Sequence, residues 1–194
     1  MMAGNSIETK SMAAEEKRRK IEPVNSIFLA YKSRNWDGIE AILAVEPLAV
    51  NDKDEHGMTL LMLEVTNPEH VEYLLEIGAD PHLRCDKGLN ALFYAVLRHA
   101  PLRSFEILSQ RNVDPNCEDC KRTTTLIHAI EDYRSGDDEK IRLLLAAGAD
   151  PTCEDSLGRS ALMCASVKHA ENSVLNKMLV DAMVQNFYRK VKIP

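Results

Sequence analysis

Leu74-Leu75-Glu76-Ile77-Gly78-Ala79-Asp80-Pro81 returns as Leu144-Leu145-Ala146-Ala147-Gly148-Ala149-Asp150-Pro151, and a blurred copy runs between them from Ile107-Leu108 to Val113-Asp114-Pro115. In each copy an apolar doublet is followed by Gly78, Asn112 or Gly148, residue types that tolerate positive φ and close a helix with a left-handed cap. The Asp-Pro that follows ends the helix, because proline restricts both itself and the residue before it. A unit of this length cannot bury its apolar face alone, so neighbouring copies must stack to make a core. The expected product is an extended surface rather than a pocket.

Each helix pair is preceded by a turn, Asp54-Glu55-His56-Gly57, Cys85-Asp86-Lys87-Gly88 or Asp155-Ser156-Leu157-Gly158, in which glycine lets the chain reverse. Asp119-Cys120-Lys121-Arg122 has no glycine, so that turn is expected to be strained or built differently. Thr59, Asn90, Thr124 and Ser160 then stand as N-caps, each followed two residues later by leucine: Leu61, Leu92, Leu126, Leu162. Three- and four-residue spacing of apolar residues predicts paired helices over about 59–77, 90–111, 124–147 and 160–182. An earlier pair carries Ile27, Phe28 and Tyr31, then Ile39, Ile42 and Leu43, with its joint expected near Asp37-Gly38.

The unit of turn, Thr-x-Leu helix, Leu-Leu helix and Gly-Ala-Asp exit resembles the ankyrin repeat, whose period is about 33 residues. The resemblance covers residues 24 to about 182. It implies an all-α fold, an ankyrin-repeat solenoid of about five helix-turn-helix repeats with short turn fingers along one edge and inner helices forming a concave wall. On this reading residues 1–22 are a charged, disordered tail and 23–194 the repeat domain, divided as 24–52, 53–84, 85–116, 117–153 and 154–194. The family's Thr-Pro-Leu-His is never complete: its Pro is Leu60, Ala91, Thr125 or Ala161, and its His is Met62, Phe93, Ile127 or Met163. The second repeat is about two residues short near Asn67-Pro68, and the fourth gains about two at Ser135-Gly136-Asp137-Asp138. No Gly-Ala-Asp exit follows Met178-Leu179. Val180, Met183, Val184 and Phe187 are expected to carry the last helix over the final repeat as a cap, making the array complete.

Composition narrows the classes. The chain has 194 residues, 45% hydrophobic and 28% charged, with no apolar run near the roughly 20 residues that span a bilayer. Residues 1–22 hold five basic and four acidic side chains, which leaves residues 23–194 at a net charge of −7. Such a body repels nucleic-acid phosphate and favours a partner with a basic or mixed basic and apolar segment. Neither nucleic acid nor membrane is expected as a partner. The chain is expected in the cytoplasm, with entry to the nucleus left open by Lys17-Arg18-Arg19-Lys20, a basic cluster that also suits a solvated helix paired with Glu15 and Glu16.

Chemistry-bearing patterns are sparse. Cys117-x-x-Cys120 is half of a structural zinc site without a second half, and Cys117 and Cys153 both stand two residues after Asp-Pro. The five cysteines are therefore read as reduced, structural thiols, with no metal and no cofactor. Nothing places a nucleophile, an oriented base and an oxyanion hole together, and no phosphate-cradling glycine motif occurs, so no catalysis is expected. Function falls to the wall. Positions two and five after each leucine are Leu63 and Thr66, Tyr94 and Leu97, His128 and Glu131, and Cys164 and Val167, of which Leu63, Tyr94, Leu97, His128 and Val167 are taken as candidates, joined by Arg98 beside them. Core packing between repeats is the competing role for these side chains. At the finger tips Lys121, Arg122 and Leu157 complete the set, against a plain solubility role for the charges. The resemblance thus implies a non-catalytic interaction module acting as adaptor, scaffold or stoichiometric inhibitor. The alternatives are a nuclear regulator that sequesters a transcription factor or chromatin protein, or a ubiquitin-ligase substrate adaptor, for which no Leu-Cys-Arg element appears between Gln185 and Pro194.

Overall fold

The computed structural model describes residues 27–134 and 136–191, so the charged tail and Lys17–Lys20 lie outside the described residues. Residues 27–32 form helix α1. It is followed by α2 (Trp36–Val45), a 3-10 turn at Pro47–Asn51, α3 (Leu60–Leu63), α4 (Pro68–Glu76), α5 (Ala91–Leu97), α6 (Leu102–Ser109), α7 (Thr125–Glu131), α8 (Asp138–Ala146), α9 (Ala161–Lys168) and α10 (Ser173–Val191). Among the described residues β-structure is limited to two isolated bridges, Glu118 with Thr124 and Glu154 with Ser160, each closing a turn.

Helices pack in two rows. In one, α3, α5, α7 and α9 touch in sequence; in the other, α4, α6, α8 and α10 do so, and each helix of the first row also contacts its successor in the second. Helix starts follow the expected chemistry: the side chains of Thr59, Asn90, Thr124 and Ser160 accept from the amides of Met62, Phe93, Ile127 and Met163. Each such cap contributes about 1 kcal/mol. The residues replacing the family's proline, Leu60, Ala91, Thr125 and Ala161, are all fully buried, as are Met62, Phe93 and Ile127, whereas Met163 is exposed. The larger side chains fill the space between rows, and the burial of Phe93 and Ile127 alone is worth about 2–3 kcal/mol each.

The phrase that opens the sequence serves as the seam between units. Gly78 and Gly148 take φ of 100° and 97°, and Asn112 substitutes at 53°. In two places an asparagine of the preceding unit clamps the exit. Asn51 donates to Gly78 O and accepts from Asp80 N at 3.0 and 2.7 Å, and Asn116 repeats this with Gly148 O and Asp150 N at 3.0 and 2.8 Å. Asp80, Asp114 and Asp150 then each accept the amide two residues on, bending the chain toward the next turn.

Several expectations are corrected. The joint between α1 and α2 is not at Asp37-Gly38 but at 33–35: Arg34 adopts φ 54°, and Asn35 caps α2 by accepting from Gly38 N at 3.0 Å. Gly38 lies in the first helical turn, where a Cβ would fall 2.6 Å from the capping Asn35 side chain. The shortening near Asn67-Pro68 is taken out of helix rather than loop, since α3 has four residues where α5 and α7 have seven. The turn without glycine takes the strained of the two expected forms, with Arg122 itself at φ 57° in the place that Gly57, Gly88 and Gly158 hold elsewhere. In the last helix the packed residues are Leu175 and Leu179, while Val180, Val184 and Phe187, expected to cover the final repeat, are exposed.

Candidate functional site

The turns and the first helix row are joined by a fixed register. Asp54, Asp119 and Asp155 each open a turn and accept two amides, those two and four residues on, through Oδ1. Cys85 holds the equivalent place in the second turn. Nine residues after each opener comes a side chain of the following helix, and two of these pairs touch. Cys85 Sγ lies 3.5 Å from the Tyr94 hydroxyl, and Asp119 Oδ2 lies 3.2 Å from His128 Nε2. Adjacent turns are laced by Asp86 N donating to His56 O at 3.1 Å and Ser156 N donating to Lys121 O at 2.8 Å.

Electrostatics here follow burial and amide donation. Burial raises Asp119, but the amides of Thr123 and Lys121 and the His128 imidazole outweigh it and hold the carboxyl below its ordinary 3.8. Asp155 is held low by the Arg159 amide, against an opposing desolvation, and by the Arg159 guanidinium at 2.6 Å. Burial, then the Cys85 thiol, pushes the Tyr94 phenol well above its usual value, so it stays protonated. The thiols of Cys117, Cys153 and Cys164 are likewise pushed up by burial, which keeps them protonated and poor nucleophiles near neutrality.

Among the predicted wall residues, Tyr94 is half-buried with the Arg98 guanidinium 5.9 Å from its ring centre. Leu97 is exposed at the end of α5, and Val167 is 83% exposed near the end of α9. His128 is half-buried and meets the Phe93 ring edge-on at 5.1 Å. Leu63 is corrected: it is 8% exposed, its side chain belongs to the core, and only its carbonyl remains at the helix end. That carbonyl accepts from Arg98 Nη1 at 2.8 Å and from the Tyr31 hydroxyl at 3.5 Å. At the tips Lys121 and Arg122 are exposed, and Leu157 is 75% exposed.

The ion pairs that hold Glu131 on this surface were not anticipated. Arg159 bridges Glu131 at 2.9 Å and Asp155 at 2.6 Å, and Lys168 Nζ donates to the Glu131 carbonyl at 3.3 Å. Met163, on α9, is a further exposed apolar side chain. A separate cleft of 370 Å³ opens at the α1–α2 end, lined by Tyr31, Lys32, Arg34, Trp36, Glu64 and His70. There the Trp36 and His70 rings stack 3.4 Å apart, and His70 Nδ1 meets Glu64 Oε2 at 2.6 Å. The cleft escaped sequence reading because its walls come from different units.

No group of three His, Cys, Asp or Glu side chains among the described residues is arranged to hold a metal ion. Cys117 is buried and Cys120 is exposed, so the two halves of the Cys-x-x-Cys point into different surroundings. No described helix is long and apolar enough to cross a membrane.

No family profile matches this chain. A curated protein of Caenorhabditis elegans, ANK repeat-containing protein nipk-1, is 33% identical over 124 residues, covering 57% of this chain. The chain spans 20% of the length of that relative. The likeness suggests ankyrin repeats and, with them, a protein-interaction module rather than an enzyme.

Proposed function

We propose that this chain is a non-catalytic adaptor, scaffold or stoichiometric inhibitor of the ankyrin type, which holds a partner polypeptide along the wall formed by α5, α7 and α9 and by the turn tips above them. The reading rests on one observation. Leu97 near the end of α5, Val167 near the end of α9 and Leu157 at a turn tip are exposed, while Arg159 and Lys168 are held on Glu131 and Arg98 on the Leu63 carbonyl, which together supply the apolar anchors and fixed charges that an extended peptide can use. Glu131, Asp119 and the net acidic body favour a partner segment of mixed basic and apolar character.

Affinity purification from cells, comparing the native chain with Tyr94→Ala and Val167→Asp, tests this reading. Val167 is so exposed that the second variant should leave folding untouched, and loss of the same partners by both variants is the expected result. An unchanged partner list would remove the wall from consideration. The electrostatic part is tested by salt, which should weaken the complex; affinity independent of ionic strength would remove it. Nuclear entry through Lys17–Lys20 is a separate proposal, checked by fusing residues 1–22 to a fluorescent reporter and looking for nuclear enrichment.

A further inference from the structure

Helix α10 is apolar on two faces, and only one of them meets the protein. Leu175 and Leu179 are fully buried against the preceding helices, and Asn186 and Lys190 are tied to Asp150 at 2.6 and 2.9 Å, so the helix cannot roll to hide its other side. On that other side Val180, Val184, Phe187, Tyr188 and Val191 are 44%, 48%, 62%, 60% and 47% exposed. At 100° per residue they fall within one arc about 100° wide and about 18 Å long. A contiguous patch of this kind on an otherwise ordinary surface marks an interface.

We propose that this arc pairs with the α10 arc of a second copy of the chain, the two helices running antiparallel about a two-fold axis. The spacing of the seam carries the assignment. Val180, Val184, Phe187 and Val191 are separated by four, three and four residues, the step pattern of a two-helix seam, and it reads the same in both directions. An antiparallel copy therefore sets Val180 against the partner's Val191 and Val184 against the partner's Phe187, then repeats both layers by symmetry, as an isologous contact requires. Asp181 and Tyr188 flank the seam on one side, and the same operation brings each carboxylate beside the other copy's phenol. The five side chains offer roughly 450 Å² per copy and about 900 Å² for the pair, near the low end of specific interfaces and suited to a reversible micromolar dimer. The helix also carries Lys177, Arg189 and Lys190 against one Asp181, so two copies meet through the least acidic part of an acidic protein.

Sedimentation of the full chain under reducing conditions, from about 1 to about 500 µM, should show a monomer–dimer equilibrium across this range. Val184→Glu and Phe187→Lys should each be monomeric throughout with unchanged circular dichroism, because both positions are exposed in the single chain. Mixed in equal amounts, the two variants should recover a dimer, since the register sets the new Glu against the new Lys in one layer and restores Val184 against Phe187 in the other. A native chain that is monomeric at every concentration overturns the pairing. So does a mixture that stays monomeric, or a monomer that binds anionic phosphatidylserine vesicles through Phe187, which would make the arc a lipid-surface element instead.

Discussion

Arg98 Nη1 donates at 2.8 Å to the carbonyl oxygen of Leu63, the last residue of a helix only four residues long. A helix end leaves carbonyls without intrahelical donors, and a helix this short leaves its end close under the neighbouring unit. Arg98 supplies a donor from one side and Tyr31 a longer contact, 3.5 Å, from the other. Arg98→Ala should therefore lower stability by about 1–2 kcal/mol, the range for a lost charge-assisted hydrogen bond, and Tyr31→Phe by less than about 0.5 kcal/mol. Urea unfolding checks both; the midpoint should fall with an unchanged m-value.

Two glycines at nearly the same φ separate backbone strain from contact between turns. Gly57 and Gly158 sit at 71° and 72°. A Cβ on Gly57 would lie 2.7 Å from the Asp86 amide nitrogen, whereas one on Gly158 would meet nothing within 4 Å. Gly158→Ala should cost about 1 kcal/mol for the left-handed conformation alone. Gly57→Ala should cost clearly more, because it also pushes Asp86 off His56 O. Thermal unfolding of the two variants side by side gives the difference, and equal losses would mean that the turns are not held together at this point.

The periodic features of this architecture were legible because each is a local backbone requirement. A positive φ needs Gly78, Asn112 or Gly148; a first helical turn needs Thr59, Asn90, Thr124 or Ser160. These requirements recur in sequence wherever they recur in space. What sequence could not supply were contacts that join residues of different units, 28 or more positions apart. Examples are Arg98 on Leu63, Trp36 on His70, and the Arg159–Glu131–Lys168 cluster. Leu63 was misplaced for a related reason. It holds the same register position as Tyr94 and His128, nine residues after its turn opener, yet it is buried, and spacing within the unit does not report what neighbouring units pack against it.

Acid should loosen the turns before it unfolds the helices. Asp119, Asp150 and Asp155 are all held below the ordinary 3.8, in each case against an opposing desolvation and chiefly through hydrogen bonds that only the carboxylate accepts. A carboxyl whose folded value is depressed stabilises the fold above its unfolded value and loses that contribution as pH falls through the folded one. Stability should thus be flat above about pH 5 and decline steadily below about pH 4. Amide exchange followed across this range should show Lys121, Thr123, Leu157 and Arg159 losing protection early, since their amides donate to Asp119 or Asp155. Loss beginning in the α5 and α7 core amides instead would refute the assignment.

Cys85 is the one opener that is not aspartate, and it faces the one wall tyrosine that is half-buried. An aspartate there would place Oδ1 to accept from the amides of Lys87 and Leu89, as Asp54 does from His56 and Met58, and Oδ2 to accept from the Tyr94 hydroxyl, as Asp119 receives His128. Cys85 is only 6% exposed, so a carboxylate would be costly without those donors and favourable with them. Cys85→Asp should raise stability at pH 7 by about 1 kcal/mol. The gain should vanish near pH 3, where the new carboxyl is protonated, and should shrink in a Tyr94→Phe background, where one donor is gone. Thermal unfolding of the four proteins at the two pH values completes the cycle. Destabilisation at pH 7 would show that the second turn has a different backbone need from the other three, with cysteine chosen for its apolar fit against Tyr94.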